Sequence, residues 1–186
     1  NLVGRLPTED EIALVEDQGL EGLDAVVDGL AQEDAFYVRL EEMFNYMLLT
    51  DRYLGRRDAV GLLDGDVFPE AQWYVDREEN DLSGEDPAEI EAAREHANDS
   101  VAREPLRLIS HVVRHDRPFT EILTADYMLV NPFTARVYGI QDVDFEDPLD
   151  PNEWREGRIP GQPHAGILSS PMFLNRFPTT ATNRNR

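Results

Sequence analysis

His111 and His115 stand four residues apart in "LISHVVRHD". On a helix that spacing puts both imidazoles on one face, where they could hold one metal or haem iron. His164, in the Pro/Gly-rich "IPGQPHAG", is the available third imidazole. The pair lacks the glutamate of a zincin helix. The plainer reading is a helix C-terminus, where Arg114 and His115 meet the negative end of the helix dipole.

Carboxylates offer a second kind of chemistry. "DVDFEDPLDPNE", Asp142 to Glu153, places acids at loop positions 1, 3, 5, 9 and 12, as a calcium loop does. Asp147 stands where an EF-hand needs its sixth-position glycine, and Pro148 and Pro151 stiffen the backbone. A solvated acidic loop fits better. Glu121 and Asp126 could pair, but acids are so abundant here that the pair is no signature of acid–base work. Ser169 and Ser170 lack a glycine-flanked nucleophile elbow. No phosphate loop or dinucleotide fingerprint occurs. Asn98-Asp99-Ser100 has the pattern of a glycosylation acceptor, inside a predicted helix. No residue is assigned a catalytic, cofactor-binding or metal-ligating role.

The composition narrows the classes. The net charge of −21 argues against nucleic acid or anionic lipid as a partner, since both need a basic face. All 17 basic residues are arginine. There is no cysteine, which excludes thiolate metal sites and covalent haem c attachment within these residues. No apolar run reaches the length of a membrane span. With 186 residues, 41% of them hydrophobic, the chain can bury a core without disulfide or metal. It opens at Asn1 without methionine and ends in "TTATNRNR", and we read it as a segment of a longer precursor.

Periodicity predicts helices that position these residues. Thr8 and Glu11 have capping-box spacing ahead of Ile12, Leu14 and Val15, and Gly19 ends that helix. A second helix is predicted over Glu21–Gln32 and a third over Asp34–Thr50, the three forming an antiparallel cluster. Residues 51–84 hold no helical period; Asp64-Gly65 is a hairpin-turn signal, and Phe68, Trp73 and Tyr74 are the anchors. Helix resumes at Asp86-Pro87, is expected to break or kink near Arg103 or Glu104 before Pro105, and continues to His115. "RPFTEILTADYMLVNPFTARVYGI" then predicts three short helical turns, starting at Pro118, Thr124 and Pro132 and closed by Gly139, folded over the rest as a lid. A last short helix is expected in "ILSSPMFLNRFP", before an arginine-bearing tail suited to acidic helices. The fold class is all-α: an irregular helical bundle in one domain, with a long loop or small hairpin insertion near 51–85.

Four segments carry a resemblance: "GRLPTEDEI", "RPFTEILTADYMLVNP", "ARVYGI" and "HAGILSSPMFLNRFPTTATNRNR". Together they resemble secreted bacterial proteins of unassigned function that often carry a cytochrome c haem motif. The matching residues are Leu6, Pro7 and Thr8, Thr120 to Tyr127, Asn131, Tyr138 to Ile140, and Gly166 to Leu168. Residues 51–85 carry none of it. The resemblance implies a periplasmic or extracellular location and a haem motif outside this cysteine-free chain. The expectation is an exported accessory or scaffold module without cofactor, docking on other protein subunits of an envelope assembly, a cytochrome-containing complex among the candidates. The alternative is a fragment of a haem- or metal-dependent oxidoreductase with its cofactor held mostly outside this segment, near His111, His115 or His164.

Overall fold

A computed structural model describes residues 2–55, 58–75 and 84–178. Helix α1 (Glu9–Gln18) starts at the predicted capping box: Thr8 Oγ1 accepts from Glu11 N, and the Glu11 carboxylate accepts from Thr8 N. Gly19, at φ 64°, turns the chain into α2 (Leu20–Leu30). The two pack closely at Gly22, where a Cβ would strike the Leu14 carbonyl. α3 (Asp34–Leu48) packs on α4 (Pro87–Arg114) instead of on the α1–α2 pair. The expected three-helix cluster therefore does not form. No residue of α1 is buried, and Ile12, Leu23 and Val27 are exposed.

Helix α4 runs for 28 residues without the expected break at Pro105. Proline there removes the hydrogen bond to the Val101 carbonyl and crowds the preceding turn. Two apolar clusters outweigh that cost. Ala97, Val101 and Ala102 enter one, with Phe68, Tyr74, Phe133, Tyr138 and Met172. Leu106, Leu108, Ile109 and Val112 enter the other, with Leu48, Ile122, Tyr127 and Ile167. Each fully buried aliphatic side chain stabilises by roughly 1.5–3 kcal/mol, so holding both clusters on one straight rod exceeds one lost hydrogen bond.

The segment after α4 corrects the all-α expectation. α5 (Glu121–Thr124) and α6 (Pro132–Tyr138) are the first and third predicted turns, but the middle one is a strand, β1 (Met128–Val130). It pairs antiparallel with β2 (Arg155–Gly157), Leu129 opposite Glu156. The fold is thus mostly helical with one two-stranded sheet among the described residues. All three β1 side chains are buried, Met128 and Val130 in the first cluster and Leu129 in the second. Alternation of a strand serves both clusters at once. Pro132 also holds Asn131 extended (φ −113°, ψ 177°). From Ala125 to Ile140 the segment is mostly buried among the two clusters and not laid over them as a lid, while Phe119 and Leu123 stay exposed.

Asn131 caps α6 by accepting from Thr134 N, and its Nδ2 donates to Ser100 Oγ and the Pro151 carbonyl. Gly139 closes α6 in the left-handed region, as expected. α7 (Pro171–Arg176) follows its cap Ser170; Met172 is fully buried, while Leu168 and Leu174 are exposed. The arginine-bearing end from residue 179 lies outside the described residues.

The described part of 51–85 is a loop with two 3₁₀ turns, Thr50–Tyr53 and Val60–Leu62, and no strand. At Asp64-Gly65 the chain turns helically, Val67 N and Phe68 N both donating to the Asp64 carbonyl, which carries Phe68 into the core. Phe68, Tyr74 and Trp73 anchor it as predicted, Arg136 standing 3.6 Å over the Trp73 ring. Asn98 fixes the near end. It is 2% exposed, donates to the Tyr53 and Gly55 carbonyls, and accepts from Ala59 N at 2.6 Å. The residue that looked like a glycan acceptor is a buried clamp. Asn98→Ala is expected to lose about 2–4 kcal/mol, since it strands buried backbone groups, with the urea midpoint as the readout.

Candidate functional site

The C-terminal half of α4, the arm of β2 and the start of α5 bring together His111, His115 and Glu121 of the side chains that the sequence singled out. Helical spacing brings the His111 and His115 rings to 4.2 Å between centroids. One nitrogen of each ring is engaged. His111 Nε2 meets Glu156 Oε1 at 3.1 Å, and His115 Nδ1 meets the His111 carbonyl at 2.9 Å. His164 is not brought to them; its Nε2 accepts from Ile159 N. No group of three or more His, Cys, Asp or Glu side chains that could hold a metal forms among the described residues.

Glu156 also accepts from Arg117 Nη2 at 2.7 Å. Arg117 Nη1 reaches Glu121 and the Tyr127 hydroxyl, and Tyr127 donates to Glu121 at 2.5 Å. Glu121 is held below the usual carboxylate range by Tyr127 and Arg117, while burial and Glu121 push Tyr127 up. Glu121 and Asp126 do not pair: Asp126 binds Arg158 at 2.7 Å instead. This is a closed ring of donors and acceptors that staples β2 to α4 and α5, with no nucleophile beside it.

The Asp142–Glu153 loop is closed too. The Glu153 carboxylate accepts from Glu146 N and Asp147 N, which holds its pKa down, and Arg155 bridges Glu146 and Glu153. Asp147 and Asp150 accept from Leu149 N and Asn152 N. Asp147, Asp150 and Glu153 are thus turned on the loop's own backbone, and Glu146 on Arg155.

Sequence reasoning missed Glu41. It lies on α3, is 8% exposed, and accepts from Arg107 Nη1 (3.0 Å) and Ser110 Oγ (2.7 Å). One acid among 38 carries no signal of its own. Beside this pair opens a cavity of about 450 Å³ between α3, α4 and the 152–154 segment, walled by Tyr37, Arg107, His111, Arg114, Leu129 and Trp154. Arg114 Cζ sits 3.9 Å over the Tyr37 ring and Arg107 Cζ 5.7 Å from the centre of Trp154.

Glu104 was missed as well. It is fully buried on α4, accepts from Ser170 Oγ, and burial pushes it up to about 8. Ser170 is therefore a cap tied to a neutral acid.

A second surface differs in kind. Eleven of the nineteen exposed large hydrophobic side chains among the described residues lie between Leu2 and Leu49. Leu6, Leu20 and Tyr46 are 86%, 78% and 83% exposed. Leu2, Phe36, Leu40, Met43 and Tyr46 line one apolar groove of about 400 Å³.

Residues 66–140 match the family model described as PSD4, a protein of unknown function (DUF1592). The matched segment covers α4, α5, β1 and α6, so it is the core and one side of the polar ring. It contains "RPFTEILTADYMLVNP" and "ARVYGI", and it takes in residues 66–85, which carry none of the resemblance described above. "GRLPTEDEI" and "HAGILSSPMF" fall outside it. The description names no activity, haem or location. No curated protein and no solved structure matches the chain.

Two titrations test this geometry. Burial, helped by His115, lowers the His111 pKa below the ordinary imidazole value against the opposing pull of Glu156. The unfolded chain then takes up the proton first. Stability from His111 is complete above about pH 6.5 and falls as pH drops toward the folded value; the His111 ring resonances should shift at a lower pH than those of free histidine. Glu104 has the opposite sign. Its contribution is complete below about pH 4.5 and is lost as pH rises toward 8. Each unit is about 1.4 kcal/mol, and Glu104→Gln should flatten that limb of the stability–pH curve.

Proposed function

We propose that this chain is an exported accessory or scaffold module that docks on another protein subunit of an envelope assembly and carries no chemistry of its own. The apolar groove of Leu2, Phe36, Leu40, Met43 and Tyr46 carries the reading, with the exposed apolar side chains of α1 and α2. An apolar groove of this kind marks an interaction site, whereas scattered single residues do not. The export and envelope location rests on the sequence resemblance alone.

Charge selects the partner. Between positions 2 and 49 there are twelve carboxylates against two arginines, Arg5 and Arg39, and Arg39, on the groove itself, is paired with Glu42. Two copies placed face to face would oppose like charge with like. The surface therefore suits a different protein whose apolar centre is ringed by lysine or arginine. Arg5 is no exception, since Glu11 and Glu33 each hold it at 2.7 Å.

The absence of lysine makes a direct test possible. Carboxylate–amine zero-length cross-linking of native material cannot join side chains of this chain to each other or to those of a second copy. Cross-links from Glu9–Asp34 to lysines of another chain are expected. They should be lost, without change in circular dichroism, in the double variant Leu20→Glu, Met43→Glu. Sedimentation as a lone chain with no such cross-link, or as a homodimer, overturns the reading.

A further inference from the structure

The cavity between α3 and α4 is independent of the docking surface and has a different chemistry. Among the described arginines with an ion pair, Arg5, Arg117 and Arg155 are each held by two carboxylates, and Arg39, Arg94 and Arg158 by one. Arg107 and Arg114 differ from these in sharing one cavity. Each has one carboxylate partner, Glu41 and Asp34 respectively, and each lies against an aromatic ring. A guanidinium has five N–H donors, so most of theirs are not taken by these acids.

Arg107 Nε and Trp154 Nε1 are shut off from the surface, so a ligand would meet the half-buried Arg107 at its other donors. Ser110 and Asn152 also line the wall, and Asp34 stands at the rim, 87% exposed and bound to Arg114. Tyr37, Val38, Leu129 and Trp154 give the same cavity apolar and aromatic sides. Its volume of about 450 Å³ is in the range of small-molecule sites, roughly 300–1,000 Å³.

We propose that this cavity binds a small aromatic monocarboxylate, its carboxylate on Arg114 and Arg107 and its ring against Tyr37 and Trp154. A guanidinium fork fits the planar carboxylate in a bidentate way, and aromatic walls favour a flat apolar body. The net charge of −21 repels polyanions, which disfavours nucleotides and other polyphosphates.

Benzoate is the probe, with acetate and inorganic phosphate as comparison arms, titrated into the full chain carrying Trp73→Phe so that Trp154 is the remaining indole. Saturable, equimolar quenching by benzoate is expected, with acetate weaker for want of a ring. Arg114→Gln should weaken benzoate about tenfold or more, the cost of one charge-assisted contact. Arg114 is the better probe because it is partly exposed, whereas loss of Arg107 would leave Glu41 buried and unpaired. Trp154→Phe, followed by calorimetry, keeps the ring and removes the N–H, and should weaken binding less than Arg114→Gln. The proposal is overturned if benzoate does not saturate at millimolar concentration. It is equally overturned if phosphate binds as tightly, or if Arg114→Gln leaves benzoate affinity unchanged.

Discussion

Helix α4 is shared by both apolar clusters, and nothing else in the molecule touches as many of the other elements. Its upper turns hold the loop through Asn98 and the sheet through Val101. Its lower turns hold α3, α5 and the polar ring. For that to work the helix must be a single rigid rod. A break at Pro105 would let the two clusters rotate independently. Continuity here is a property of the packing on both sides, because the local cost of proline in a helix is real.

The same rod explains where the polar groups went. Several polar residues of α4 that face neither cluster meet other parts of the chain and find a partner there. His111 reaches Glu156, Arg107 reaches Glu41, and Ser100 reaches Asn131. Glu104 is the exception. It has no cation beside it and stays neutral through burial. Cations left with spare donors occur together only in the cavity beside α3 among the sites described above. That cavity and the apolar surface of α1–α3 are the two candidate binding surfaces of the described molecule.

The two surfaces differ in kind. The α1–α2 pair is joined mainly to itself, so its outward apolar residues remain in water, and their acidic neighbours keep like molecules away. The cavity instead sets Arg107 and Arg114 beside the Trp154 and Tyr37 rings.

Much of the local structure could be read from the sequence. The capping box at Thr8 and Glu11, the Asp86-Pro87 start of α4, the Pro132–Gly139 span of α6 and the short helix of α7 each depend on backbone groups a few residues apart. The lack of cysteine, which rules out thiolate sites within these residues, could be read there too, as could the net charge of −21. Tertiary structure alone decided what was long-range. It made "MLV" a strand, because two clusters needed side chains on alternate faces. It carried α4 through Pro105, turned Asn98 inward, sent His164 away from His111, and left α1 and α2 without cover. Caps and turns are chosen by neighbours along the chain; the burial of a side chain is chosen by whatever meets it from far along the chain, and spacing in one sequence does not say what that will be.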